Sequence, residues 1–335
     1  LAGVDLYARP VRSLGAQPAE SVPPCPVCGC ESARPRFELA GDPIRVLVCT
    51  RCGLGRVHPL PDAETLRGFY PGEYYGEPGT KFQWAVERLV RLVGARHTGF
   101  LTAGVPPGGR VLDVGCGRGV ILGPLADRGF EVHGVEISAE AARGADPRAK
   151  LRIAPRLADA GFDAAFFDEV VIWHVLEHLA DPRETLAEAR RILRPGGRLV
   201  VAVPNFASAQ ARWSGAAWFH LDLPRHLYHF PVSALRALVE SVGLEIESEH
   251  HFSLRQNPFG WIQSALNRWP GLPRNGLYRL LHRRAAGEPA CFDAGTRLLL
   301  WLAFLLLAPP ALAASLAEAL LRSGATVHLV ARRPA

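Results

Sequence analysis

Val111-Leu-Asp-Val-Gly115-Cys-Gly117-Arg-Gly119 runs from an apolar strand into a glycine-rich turn, and a helical pattern begins at Val120. Glycines at such a turn let the backbone take unusual dihedral angles and approach a ligand closely. The helix start behind them offers unsatisfied N–H groups. Asp113 stands at the strand end, where a carboxylate can brace the loop or reach a ligand amine through water. A dinucleotide fingerprint requires GxGxxG, yet the sixth position counted from Gly115 is Val120, so the spacing is GxGxG and nicotinamide chemistry is disfavoured. Glu136, at the end of the next apolar run, lies 21 residues after Gly115. An acid placed there accepts hydrogen bonds from both hydroxyls of a ribose. Strand, turn, helix and acid together predict a site for a nucleoside-containing cofactor.

Outward from this loop the strand–turn–helix pattern repeats. Strands are predicted at 110–114, 131–136, 167–174, 198–203, 244–250 and 326–330, with a weaker one near 150–154. Helical patterns fall at 120–128, 183–193 and 232–242, and a further helical segment at 81–102 follows the stretch FYPGEYYG at 69–76. This alternation predicts an α/β fold, a doubly wound and mostly parallel sheet with helices on both faces. The interval 253–324 is too long for a loop in a compact domain and must form its own substructure. The segmentation expected is a loose leader over 1–24, a cysteine module over 25–60, a linker and helical lid over 61–109, the main domain over 110–252 plus 325–335, and an insertion over 253–324.

The chain has 335 residues, 48% of them hydrophobic and 21% charged, which is a globular composition with ample length for a core. Net charge is +6, and only Lys81 and Lys150 among the 38 basic residues are lysine, a skew that fits genomic base composition better than a nucleic-acid surface. Of the seven cysteines, four form Cys25-Pro-Val-Cys28 and Cys49-Thr-Arg-Cys52, separated by 20 residues and each followed by glycine. Two such knuckles complete a tetrahedral S4 site, the preference of structural Zn2+ in a reducing, cytoplasmic compartment. Four unbound cysteines or a redox pair is the alternative, and Cys30 is a spare. A closed S4 shell holds the fold and leaves no coordination position for chemistry. No basic-then-apolar export signal opens the sequence.

VLDVGCGRG, the acid Glu136, FDEVVIWHVLEHLADP (167–182) and LRPGGRLVVAVPN (193–205) resemble the successive motifs of class I S-adenosylmethionine-dependent methyltransferases. The branch resembled includes ubiquinone-biosynthesis O-methyltransferases and zinc-bearing sugar C-methyltransferases. The resemblance covers roughly 23–255 plus the last strand. It implies a Rossmann-like seven-stranded sheet with its final strand antiparallel, S-adenosyl-L-methionine as cofactor, Asp113, Gly115 and Gly117 near the methionine moiety, and Glu136 on the ribose. The family often carries an acid for the adenine amine, and here Asp159 is the candidate, slightly out of register.

Methyl transfer from a sulfonium runs largely on proximity, with a base needed only if the acceptor must lose a proton. Trp173-His174-Val-Leu-Glu177-His178 falls at the carboxyl edge of the fourth strand, where doubly wound sheets bind ligands, although the same residues also suit local capping. The segment Trp218–Phe230 holds three histidines, a tyrosine, an arginine and an aspartate, and resembles the family's acceptor-side Pro-Arg-His-x-x-x-Phe loop. His174, His226 and His229 are the acceptor-side candidates; a packed, hydrogen-bonded loop is the plainer reading. The Asn-Pro-Pro-Tyr-like motif of base methyltransferases is absent, so nucleic acid is a disfavoured partner.

Residues 298–317 carry no charge, and their length matches a bilayer. A single crossing would strand the last strand on the far side, and Pro309-Pro310 should break a helix. A re-entrant or interfacial hairpin with the prolines at its tip is therefore expected. Upstream, Arg268, Arg274, Arg279, Arg283 and Arg284 alternate with Trp261, Trp269 and Tyr278, which suits a lipid headgroup surface such as the inner face of the plasma membrane. Packing on the domain or a dimer interface is the alternative. The sequence thus points to methyl transfer onto a small-molecule acceptor, a sugar, glycolipid or quinone-like compound that membrane association would make lipid-linked or amphipathic. The competing class is a non-catalytic, membrane-docked zinc interaction module. Oligomeric state is not encoded in any of these patterns.

Overall fold

The computed structural model describes residues 9–69, 88, 98–282 and 292–335. Most of the helical segment expected at 81–102, and the FYPGEYYG stretch beyond Phe69, lie outside these residues. The chain divides into two compact units, one of 1–70, 204–234 and 250–327, the other of 71–203, 235–249 and 328–335.

The first unit is built on a six-stranded sheet of β1 (Val11–Ser13), β2 (Glu20–Ser21), β3 (Ser32–Leu39), β4 (Arg45–Cys49), β5 (Gly55–His58) and β11 (Tyr228–His229). Residues 9–24, expected to be a loose leader, instead contribute β1 and β2, which pair antiparallel with opposite stretches of β3. The reason is local: β3 alternates buried and exposed residues along its length, and its edge needs partners. Phe37, Leu39, Val46 and Val57 from these strands pack with Trp218, Leu221 and Leu223 of the histidine-rich segment into one core. β11 completes the sheet by pairing antiparallel with β5, Tyr228 opposite Arg56 and His229 opposite Gly55. α1 (Ala63–Gly68) follows β5.

The second unit carries the doubly wound sheet. β6 (Arg110–Val114), β7 (Glu131–Glu136), β8 (Lys150–Ile153), β9 (Phe167–Trp173) and β10 (Leu193–Pro204) alternate with α2 (Leu122–Asp127) and α3 (Pro182–Ile192). The strand order is β12-β13-β10-β9-β6-β7-β8, and each neighbouring pair from β10 to β8 is parallel. The weak third strand is real and forms the exposed edge. β13 (Thr326–Arg332), last in sequence, inserts between β10 and β12 (Glu245–His250). β6 has β7 on one side and β9 on the other, so the chain reverses direction of growth beside it. Such switch points open a crevice at the strand ends. Asp181 caps α3 by accepting from the Glu184 N–H at 2.8 Å, with Pro182 at the first helical position.

α4 (Ala209–Ser214) and α5 (Val232–Ser241) flank the histidine segment, and the insertion expected over 253–324 comprises α6 (Gln256–Arg268), α7 (Gly276–Leu281) and α8 (Ala294–Leu320). One expectation fails here. Pro309-Pro310 does not make a hairpin tip: α8 runs as one helix of 27 residues straight through both prolines. The pair removes only the N–H donors for the Leu305 and Leu306 carbonyls. Packing pins the helix on both sides of that gap, at Leu300 and at Ala311, Ser315 and Glu318, so the lost bonds do not separate it into two.

Candidate active site

In the doubly wound unit, β6 delivers Asp113 and then the glycine turn, while β7 delivers Glu136 beside it. The turn is tied to β7 through backbone bonds from Gly115 and Cys116 N–H to the Val135 carbonyl, at 2.8 and 3.2 Å. Gly115, Gly117 and Gly119 all take positive φ, at 68°, 48° and 68°. The Glu136 carboxylate accepts from the Gly117 N–H at 2.9 Å and from the Ile137 N–H at 2.7 Å. One acid at the tip of β7 therefore shapes the loop after β6. Glu136 is buried, and burial pushes its carboxyl up despite those N–H donors.

Asp113 is also buried, and burial, reinforced by the charge of Glu136, pushes its carboxyl up to about 8. Among the described residues, burial and not a neighbouring cation sets the state of both acids. Two acids on one glycine turn in that setting suit a positively charged ligand. Asp159, in contrast, occupies a short helical turn and is held by Arg156 at 2.7 and 2.9 Å. That pair is exposed, and its carboxylate is already engaged.

The strand expected to run through His174 stops at Trp173, and His174 itself has φ 54°. The kink sets its Nδ1 3.4 Å from the Glu177 carboxylate, with Glu177 buried in the following short turn. His174 Nε2 has no hydrogen-bond partner among the described residues. Asp113, Gly115, Gly117, Glu136 and His174 therefore all belong to this one unit, gathered at the carboxyl ends of β6, β7 and β9.

His226 and His229 belong to the other unit and differ from each other. His229 lies in β11, buried, with its ring 5.3 Å from that of Phe206, as a sheet residue packs. His226 Nδ1 sits 2.8 Å from the His220 carbonyl. A carbonyl only accepts, so Nδ1 carries the proton and Nε2 is the basic nitrogen. Asp222 Oδ2 lies 3.8 Å from Nε2, and the same carboxylate is gripped by Arg225. Asp222 adopts φ 36°, and the Leu223–Pro224 peptide is cis. His226 is thus oriented by its own segment, whereas His229 packs within the sheet. The sequence names Asp222 and Arg225 but not their part in holding His226, because that contact needs the turn at 222–224.

The cysteine module fits a metal. Cys25, Cys28, Cys49 and Cys52 place their sulfurs within 4.8 Å of one another. Sγ separations are 3.5 Å for Cys25–Cys52 and 3.6 Å for Cys28–Cys49. Zinc–thiolate bonds of ~2.3 Å give a tetrahedral edge of about 3.8 Å, so these gaps suit a shared ion and are far too long for disulfides. Both knuckles have the same wiring: Gly29 N–H to Cys25 O at 2.8 Å and Gly53 N–H to Cys49 O at 3.0 Å, each glycine at positive φ. Cys30 lies outside the cluster, its sulfur against the Ser32 carbonyl. The crowding shows in the thiols: the Cys52 contact draws Cys25 down to about 5, while Cys52 is pushed up.

A family profile described as "Methyltransferase domain" matches residues 87–249. A ubiquinone biosynthesis O-methyltransferase of Cereibacter sphaeroides is 34% identical over 203 residues, covering 54% of this chain and 78% of that protein. One from Maricaulis maris is 31% identical over 154 residues, 42% of this chain and 60% of that protein. An uncharacterised 37.1 kDa protein in a Streptomyces fradiae transposon is 40% identical over 116 residues, 30% of this chain and 32% of that protein. The last two are matched over less than two-thirds of their own length, and none of the three alignments covers more than 54% of this chain.

Proposed function

The chain belongs to the class I S-adenosylmethionine-dependent methyltransferases, and from that premise we propose that it transfers a methyl group to a small-molecule acceptor. The observation that carries the reading is the pair of buried acids, Asp113 and Glu136, on one positive-φ glycine turn at the switch point of the sheet. When bound, S-adenosylmethionine would supply a methyl on a cationic sulfonium, an electrophilic carbon whose bond to sulfur breaks as an acceptor lone pair attacks and the neutral thioether leaves. The chain's own work is to hold both partners. Glu136 would take the ribose hydroxyls, the glycine turn would let the ligand lie against backbone, and Asp113, whose carboxyl burial pushes up to about 8, would give up its proton beside the cationic end. His174 and His226 are the residues suited to take a proton from a hydroxyl acceptor. A sugar, glycolipid or quinone-like acceptor suits that chemistry. Zinc on the four cysteines has a structural part, since its shell is closed.

Calorimetric titration tests this reading. S-adenosylmethionine and S-adenosylhomocysteine are expected to bind and NAD is not. Glu136→Ala should weaken both sulfur ligands roughly tenfold or more, the loss of charge-assisted hydrogen bonds. Asp113→Asn should weaken S-adenosylmethionine more than S-adenosylhomocysteine, because only the former is a sulfonium. Equal losses would remove Asp113 from the charge recognition, and unchanged affinity in Glu136→Ala would end the ribose assignment. A folded wild-type protein that binds neither sulfur nucleoside would favour the non-catalytic zinc module.

A further inference from the structure

α8 is amphipathic in the reverse sense of a helix in a water-soluble domain. Between Leu298 and Leu321 the sequence offers Ser315 and Glu318 as its hydroxyl and charged side chains, and both are buried with Leu300 and Ala311. Glu318 accepts from the Gln210 backbone at 2.7 Å and from the Trp261 indole at 2.8 Å. The opposite face carries Leu302, Leu305, Leu306, Leu312, Leu316 and Leu320, with Leu305 65%, Leu306 76% and Leu320 86% exposed. Nothing among the described residues covers that face. A core helix of a soluble domain points its leucines inward, so this face is made for an apolar surrounding.

Charge says which one. Arg297 and Arg322, both exposed, bracket the apolar run. Beside it, the Arg268 guanidinium lies 4.7 Å over the Trp213 ring, which packs 5.3 Å from Trp261, the residue bonded to Glu318. Trp269, 58% exposed, extends the same ledge. Arginine and tryptophan at the rim of a leucine face are the groups that settle at an anionic headgroup layer. The one acid at the helix start, Asp293, is occupied as the N-cap of Thr296. Two copies of a chain at net +6 repel each other, whereas an anionic bilayer attracts it.

Orientation follows from the ends. The residues beyond α8 return at once into the same unit, with Ser323 O and Ala325 O accepting from the backbone N–H groups of Ala209 and Asn205 at 3.2 and 2.8 Å. At the start, Leu300 packs 3.5 Å from where a side chain on Gly276 would begin. Both ends are therefore held on one side. In addition, the prolines leave the Leu305 and Leu306 carbonyls without helical donors, and water at the headgroup level can satisfy them where hydrocarbon cannot. We propose that α8 is an in-plane membrane anchor, with its leucine face in the outer acyl region of an anionic bilayer and its arginine–tryptophan rim among the headgroups. This does not depend on which acceptor the protein methylates.

The test is flotation of the full chain with vesicles of phosphatidylcholine alone and of phosphatidylcholine mixed with phosphatidylglycerol. Wild type is expected to float with the mixed vesicles, and to be released by an alkaline carbonate wash as a spanning helix is not. Leu305→Asp with Leu306→Asp should cut partitioning about a hundredfold or more, while the thermal transition stays within a few degrees because both side chains are exposed. Arg268→Glu with Arg297→Glu should reduce binding to the mixed vesicles by about tenfold or more and leave phosphatidylcholine binding unchanged. Failure of wild type to float, resistance to carbonate, or a stable dimer in solution that the double aspartate variant dissociates would each overturn the proposal.

Discussion

Chelation is expected to release about one zinc per chain and to unfold the cysteine module, while the cofactor loop goes on binding its ligand. The size of the effect follows from the chemistry of the site. Structural zinc in zinc-finger peptides contributes about 10–16 kcal/mol of apparent binding free energy at neutral pH, as much as the whole stability of an ordinary domain, roughly 5–15 kcal/mol. Without the ion, four sulfurs within 4.8 Å of one another must keep protons that crowd or become thiolates that repel. Beside the knuckles the strands have only the small apolar cluster of Val22, Ala33 and Leu47, while Phe37, Leu39, Val46 and Val57 pack into the separate core with Trp218. Loss should spread along β5 to β11, because Tyr228 and His229 pair with Arg56 and Gly55, and so reach the segment that positions His226. Asp113 and Glu136 belong to the other unit, so affinity for S-adenosylhomocysteine should change by less than about threefold, under about half of the 1.4 kcal/mol that tenfold represents. Atomic absorption, far-ultraviolet dichroism and calorimetry on one chelated sample read all three quantities. A metal-free protein with an unaltered transition would refute the zinc site. Cys28→Ser should reproduce the chelated state.

What the sequence disclosed and what it withheld divide by the range of the interaction. β6, β7, β9 and the knuckles were legible because each is a local pattern: an apolar run ending in glycines, or two cysteines three apart. The contacts that build the histidine segment are not local. β11 is a two-residue strand whose only reason to exist is an edge on β5, some 170 residues earlier in the chain, and no periodicity marks it. His229 stands out in the sequence because it closes a histidine-rich segment, and the sequence does not show that its ring packs 5.3 Å from Phe206 within the sheet. β1 and β2 were invisible because Pro- and Ala-rich stretches carry no alternation, although they pair with the exposed edge of β3. The proline pair misled in a different way. A helix breaker acts on local hydrogen bonds, while α8 is held by tertiary contacts on either side of the break, and packing overrides propensity.

Gly115→Ala and Gly117→Ala should separate the two jobs that glycine performs in the cofactor loop. A Cβ on Gly115 would lie 2.6 Å from Val175 Cγ2 and 2.8 Å from Cγ1, inside any contact that real side chains make. The same residue sits at φ 68°, where an L side chain costs about 1–2 kcal/mol. Overpacking adds about 1–3 kcal/mol, so the transition should fall by roughly 4–20 °C for a domain of this size. Val175→Ala in the Gly115→Ala background should recover the packing part and leave the backbone part. Gly117 also has positive φ, 48°, but a Cβ there meets nothing within 4 Å. Its substitution should cost only the backbone term, about 1 kcal/mol, and the melting temperature should move by about 2–4 °C. The new methyl would project into open space next to the N–H that Glu136 holds at 2.9 Å, where the ligand must approach the backbone. Affinity for S-adenosylmethionine should therefore drop by roughly tenfold or more, the overpacking cost applied to the complex instead of the fold. Gly115→Ala as stable as wild type would contradict the Val175 contact. Gly117→Ala with undiminished affinity would place the cofactor away from this turn, and with it the family's binding mode in this chain.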